Sequence, residues 1–232
     1  MKPIHETAQP GSDTTSDRTT HKVHVRTHLL SRLAALFGVL ALGLLYLLLP
    51  AKLIIGPNWL LLVIEAAAIL PVAVVSLTMQ RQLSHTMIRT LALALLGILT
   101  LSLAIGITLL VLTLQNEKGN FLLRSAGILW TFNLLVFALW YFEIDGGGPL
   151  KRHIVGPQAT DFLFPQYASG NSSNWMPHFV DYIFLAFTSA TALSPADTQP
   201  LTRTAKILMM IEAVFSVIII VLLAARAVNI LG

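Results

Sequence analysis

The chain of 232 residues contains no cysteine. That absence excludes disulfides, thiolate metal ligation and a cysteine nucleophile, and it leaves the redox compartment undecided. Charge is scarce as well: charged residues make up 11% of the chain against 55% hydrophobic, and the mean hydropathy is +0.75, which excludes a soluble globular domain. The net charge of +4 is too small on so apolar a chain to argue for a nucleic-acid partner. The long apolar runs lack the inside/outside alternation of a transmembrane β-strand, so a membrane barrel is excluded. There is no His-Glu-x-x-His, no Gly-x-Ser-x-Gly and no aspartate-rich diphosphate site, and no repeat of fixed period. The expectation is a membrane protein that is not an enzyme and carries no cofactor, with the lipid bilayer as its first partner.

What is present is a series of apolar runs. Residues 29–49, 59–79, 88–114 and 121–142 are each long enough, at 1.5 Å per residue, to cross about 30 Å of hydrocarbon. Short polar hinges join them, which predicts antiparallel neighbours. The first run lacks the basic leader and small-residue cleavage site of a signal peptide and is expected to remain as an anchor. Residues 1–28, with Pro3, Pro10, Gly11 and a Ser/Thr/Asp run, are too polar to offset their own ordering entropy and read as a disordered tail.

A polar, turn-rich loop occupies 144–177, opening with Asp145-Gly146-Gly147-Gly148-Pro149 and carrying at 161–166 a short apolar cluster suited to the membrane interface. Residues 178–193 are apolar but only about 24 Å long as a helix. A linker, Ser194 to Pro200, precedes the last apolar run, 207–231. The predicted fold is an all-α integral membrane bundle of four long spans, a short pore-helix-like segment and a final long span. Its regions are the tail 1–28, the transmembrane region 29–143, the loop 144–177 and the C-terminal part 178–232.

Arg18, Lys22, Arg26 and Arg32 cluster before and at the start of the first run, and counting spans places Arg81, Arg89, Lys151 and Arg152 on the same side. Lys52, Lys118 and Arg124 fall opposite. Eight against three predicts a cytoplasmic N-terminus under the positive-inside rule.

The stretch Asp181-Tyr182 through Ala186-Phe187-Thr188-Ser189-Ala190-Thr191-Ala192 to Asp197-Thr198, continuing through Glu212 and Arg226, resembles the pore helix, filter and following helix of the two-helix potassium-channel family. The resemblance covers about 50 residues. It implies a homo-oligomer, a tetramer, and makes Asp181, Thr188, Thr191, Asp197 and Glu212 pathway residues. The same stretch is similar to uncharacterised bacterial membrane proteins sharing the Asp-Tyr, Ala-Phe-Thr and Asp-Thr pattern, which implies an inner-membrane location.

The filter chemistry departs from the channel family. A potassium filter is Thr-Val-Gly-Tyr-Gly-Asp, whose glycines adopt the angles that turn successive carbonyls toward the ion. Here the stretch is Ala192-Leu193-Ser194-Pro195-Ala196-Asp197: both glycine positions carry Cβ atoms, and proline fixes φ where the tyrosine stands. The expectation is a channel-like protein without potassium selectivity, conducting ions weakly selectively. The alternative is a structural or partner-binding membrane protein that transports nothing and docks a soluble partner on 144–177.

In the channel family the loop faces outside, whereas four spans from a cytoplasmic N-terminus leave 144–177 inside. Either 178–194 straighten into a short tilted span with Arg226 cytoplasmic, or they re-enter from the cytoplasm, or the N-terminus is outside. The first is preferred here, since without a filter nothing forces the backbone back.

Two ionisable residues lie within apolar runs, Glu65 and Glu212, and Arg226 lies near the end of the last. Glu65 reads as a structural hydrogen bond or an ion or proton site, and Glu212 as a pathway group or a partner of Arg203 or Lys206. Thr188 and Thr191 also suit back-bonding within their own helix, and Asp197 also suits a cap before the last helix. Asn133 suits an inter-helix hydrogen bond. His21, His24 and His28 lie in the tail without nearby carboxylates, so no metal site is predicted. Gly146-Gly147-Gly148 reads as a flexible turn; Gly38, Gly43, Gly97 and Gly106 read as helix-packing positions.

Overall fold

The structure, a computed structural model, describes residues 36–67, 85–192, 194 and 197–231. The tail 1–28, its histidines and Arg18, Lys22, Arg26, Arg32 and Arg81 lie outside the described residues, as do Leu193, Pro195 and Ala196 of the filter-like stretch.

The fold is almost entirely helical. Helix α1 is Leu36–Leu48, and a 3₁₀ turn at Ala51–Leu53 leads to α2, described over 60–67. Then come α3 (His85–Thr113), α4 (Gly119–Ile144), α5 (Pro149–Val155), α6 (Pro165–Ala168), α7 (Phe179–Ala192) and α8 (Arg203–Leu231). Among the described residues three helices, α3, α4 and α8, are long and apolar enough to cross a membrane. The two other expected long spans are described only over α1 and over 60–67.

These helices form because their interiors contain no proline, and the threonines of α3 are satisfied within their own helix. In α3, Thr100, Thr108 and Thr113 donate to the carbonyls of Leu96, Ala104 and Leu109 at 2.7, 2.8 and 2.9 Å. Helix α4 ends where Gly146, Gly147 and Gly148 take φ of 62, 77 and 100°, a left-handed run that side-chain-bearing residues resist. Pro149, with its φ preset, starts α5. The glycine turn is thus an ordered helix stop.

Helix α4 is the hub of the bundle, packing against α3, α7 and α8 and burying Val136, Phe137, Ala138 and Tyr141 completely. Trp140 donates to Thr100 of α3 at 2.8 Å, and Trp130 to Ser216 of α8 at 3.1 Å.

Four contacts establish the direction of the chain through the bundle. Lys52, after α1, pairs with Glu117, between α3 and α4, and Arg226 of α8 donates to the Glu117 carbonyl at 3.3 Å. One end of the bundle therefore holds Lys52, Glu117 and Arg226. The other holds the end of α4, the start of α7, where Tyr182 meets Asp145, and the start of α8, where the Leu201 N–H meets the Asp161 carbonyl.

It follows that α7 does not cross the bundle. It enters from the Asp145 end, reaches the level of Trp130 and Ser216 at Ala190, and the chain returns to the end it left. This corrects the preferred expectation of a tilted span, and it places Arg226 at the end opposite 144–177. The physical reason is a pairing the apolar pattern does not report. Phe162–Leu163 and Gln199–Pro200 form a short antiparallel ladder, β1 with β2, that pulls the return segment back. The 161–166 cluster is corrected too: Phe162 and Phe164 are buried core residues rather than an interfacial patch.

Of the packing glycines, Gly43 is the tightest, since a Cβ there falls 2.3 Å from Glu65 Oε2 and 2.5 Å from Leu62 Cδ2. Gly38 and Gly106 similarly seat Phe179 and Leu129, but Gly97 has nothing within 4 Å. Gly43→Ala is therefore expected to destabilise the protein by about 1–3 kcal/mol through overpacking. Gly97→Ala is expected to be neutral or stabilising by a few tenths up to about 1 kcal/mol. Thermal unfolding in detergent checks the pair, and equal effects would contradict the α1–α2 packing.

Candidate functional site

Two buried polar clusters organise the C-terminal half. The first sits where α4 ends. Asp145 Oδ1 accepts from Thr160 Oγ1 at 2.8 Å and from the Asp161 N–H at 3.1 Å, while Oδ2 accepts from Tyr182 at 2.5 Å. Asp161 continues the network, accepting from the Gly146 N–H at 3.0 Å and from Thr202 Oγ1 at 2.7 Å. Arg152 returns from α5, donating to the Phe142 and Asp145 carbonyls at 2.8 Å each, with its guanidinium 3.9 Å from the Asp145 carboxylate. The guanidinium also lies 5.0 Å from the Phe142 ring centre and 5.2 Å from that of Tyr182, within cation–π range of both rings. Through Tyr182 the site joins an aromatic cluster in which Phe162, Phe164, Tyr167 and Trp175 pack edge-on against one another or against Tyr182. This cluster fixes the start of α7 and the start of α8 to the end of α4.

The second cluster lies deep in the bundle. Glu212 of α8 is fully buried; Tyr141 of α4 donates to its Oε2, and Ser189 of α7 stands beside both groups. Asn133 reaches the Glu212 carbonyl at 3.5 Å, and one turn along α8 Ser216 donates to the Ala190 carbonyl at 2.5 Å. Three helices therefore meet on polar groups along one seam. The carboxyl Oε1 of Glu212 has no hydrogen-bond partner among the described residues.

No protein-family model, curated protein or solved structure matches this chain.

The five expected pathway residues fall into two groups. Asp181 accepts from the His178 N–H at 2.7 Å and caps α7. Thr188 and Thr191 donate to the Leu185 and Phe187 carbonyls at 3.0 and 2.7 Å. Thr191 is exposed at the deep end of α7, and Asp197 is exposed on the return. Glu212 does not join them: it faces inward, between α4 and α7, and pairs with neither Arg203 nor Lys206. Glu65 is enclosed in the α1–α2 hairpin without a partner among the described residues.

Asp145, Asp161, Arg152 and Tyr141 were not singled out by the sequence. Asp145 before three glycines reads as an ordinary turn residue, and its partners lie up to 37 positions away. Arg152 was counted as a topology charge, yet it is buried.

Removing the Asp145 carboxylate leaves Arg152 buried without its counter-charge, which costs about 3–5 kcal/mol. Thr202→Val removes a single hydrogen bond and is expected to cost about 1 kcal/mol. Thermal midpoints in detergent should therefore fall far more for Asp145→Ala than for Thr202→Val; equal losses would contradict a hub at Asp145.

Proposed function

We propose that this chain is a channel-like membrane protein whose α4, α7, return segment and α8 form a pore-type module, assembled from several copies and conducting ions with weak selectivity. The observation that carries the reading is the α7 hairpin. A helix dips into the bundle and the chain, described at 194 and 197–200, returns, leaving Thr191, Ser194 and Asp197 exposed. That arrangement parallels the order of elements in the two-helix potassium channels.

Two features support assembly around an axis outside the protomer. Helix α8 leaves Ile207, Met210, Val214, Val217 and Val221 uncovered, and α7 leaves Val180, Phe184 and Phe187 uncovered, an apolar surface suited to lipid or to a second copy. Within the protomer, the cavity between α3, α4 and α8 is lined by Leu110, Leu114, Leu122, Ala126, Leu222 and Leu223 and offers no polar route. The second reading, a membrane protein that transports nothing, is favoured by the enclosure of Glu212, which withdraws the one deep carboxylate of α8 from any such axis.

We place the protein in the inner membrane with the N-terminus and the mouth of the hairpin cytoplasmic. Arg203 and Lys206 join the eight basic residues of that side and Arg226 joins the three opposite, giving ten against four. The hairpin then enters from the side opposite to that of the channel family.

Mass measurement of the complex in mild detergent is expected to give a tetramer. Reconstituted vesicles are expected to pass sodium and potassium alike, because side chains at the glycine positions bar a carbonyl-lined filter. A monomer that supports no flux would overturn the reading in favour of the inert one, and a reversal potential following potassium alone would overturn the filter argument.

A further inference from the structure

We infer that Glu212 is a proton-binding site deep in the bundle whose occupancy holds the inner end of α7 against α4 and α8. This goes beyond the proposed conduction, since it applies equally to a chain that conducts nothing.

Glu212 lies well inside the apolar stretch Arg203–Arg226 and is completely enclosed. From α4 the carboxyl meets the Tyr141 hydroxyl, while Asn133 reaches the Glu212 backbone carbonyl, and from α7 it meets Ser189; among the described residues Tyr141 is the one titratable group in contact with it. The basic residues that precede it on α8 itself, Arg203 and Lys206, are exposed; Lys206 is six residues, about 9 Å, along the axis toward the start of the helix. A carboxylate held in such a place without a counter-charge carries a desolvation penalty of several kcal/mol. Binding a proton removes the charge. Oε2 is occupied by the Tyr141 hydroxyl and Oε1 is open, so Oε1 is the atom that takes the proton.

The same geometry names the element that responds. The inner end of α7 is held by Ser189 beside the carboxyl, by Ser216 on the Ala190 carbonyl and by the edge contact of Trp130 with Phe187 at 6.0 Å. Its outer surface is uncovered, whereas its start is pinned by Tyr182 on Asp145. When the proton leaves for water, the new carboxylate recovers hydration at least structural expense by the inner end of α7 lifting about that pinned start. Proton return from water re-forms the neutral acid and re-docks the helix; the O–H bond is the only covalent bond made or broken.

The test uses the full chain in lipid nanodiscs. Infrared difference spectra between wild type and Glu212→Gln should show the carbonyl stretch of a protonated carboxyl at neutral pH in wild type and its loss in the variant. Tyr141→Phe should move that band to higher wavenumber, because one hydrogen bond to the acid is gone. A spin-label pair at Thr191→Cys and Leu112→Cys, clean in a chain without native cysteine, should show a distance distribution that broadens on alkaline titration in wild type and stays fixed in Glu212→Gln. A wild type without the band, or a pair that still responds in Glu212→Gln, overturns the proposal. Should Glu212→Gln fail to fold, Tyr141→Phe decides: an unmoved band assigns the proton elsewhere.

Discussion

The Asp145 carboxylate is the interaction on which the C-terminal half depends. Placed where α4 stops, it gathers Thr160, the Asp161 backbone, Tyr182 and the Arg152 guanidinium within one buried volume. Through Asp161 the same network reaches Thr202 and the first turn of α8. An apolar chain entering a membrane has few means of fixing one helix relative to another, since lipid competes for every apolar contact on equal terms. A satisfied ionic cluster supplies what apolar packing lacks: a unique register, because displacement of any one element leaves a buried charge or hydroxyl without a partner. The aromatic residues around Arg152 exclude water and sharpen that penalty.

From this junction the rest follows. With the starts of α7 and α8 tied to one end of α4, α7 can only descend and the chain can only come back, and the ladder between Phe162–Leu163 and Gln199–Pro200 secures the return. Helix α4, in contact with α3, α7 and α8, becomes the core; α7 and α8 keep one apolar side each without cover. The seam of Tyr141, Ser189, Glu212 and Ser216 then lies where three helices meet, a second polar fastening at the far end of α7. A strong anchor at one end and a titratable one at the other make α7 the element of the bundle best suited to movement.

Much of the helical framework was legible in the sequence. The runs 88–114 and 121–142 correspond to α3 and α4 within three residues at each end, because apolar length and proline-free interiors dictate a helix whatever surrounds it. The start of the last helix was read four residues late, since Arg203 and Lys206 are polar but lie on its exposed side. The path of the chain was less legible. Residues 144–177 read as a loop because their polar residues alternate with turn formers, yet Asp145, Thr160 and Asp161 are polar in order to meet one another. Such partnerships span 15 to 41 positions and leave no periodic trace. Glu212 shows the same limit: charge alone suggested Arg203 or Lys206, but its partner is a tyrosine on another helix.

In this fold α7 and the return segment begin and end at one end of the bundle, and so on one side of the membrane. Single cysteines at Ser172, Thr204 and Asn116, all exposed positions in a chain without native cysteine, report it directly when sealed, oriented vesicles meet a membrane-impermeant maleimide. Ser172→Cys and Thr204→Cys are expected to react from the same side and Asn116→Cys from the opposite one. Thr204→Cys reacting together with Asn116→Cys would mean that α7 spans the membrane and that the chain does not return to the Asp145 end.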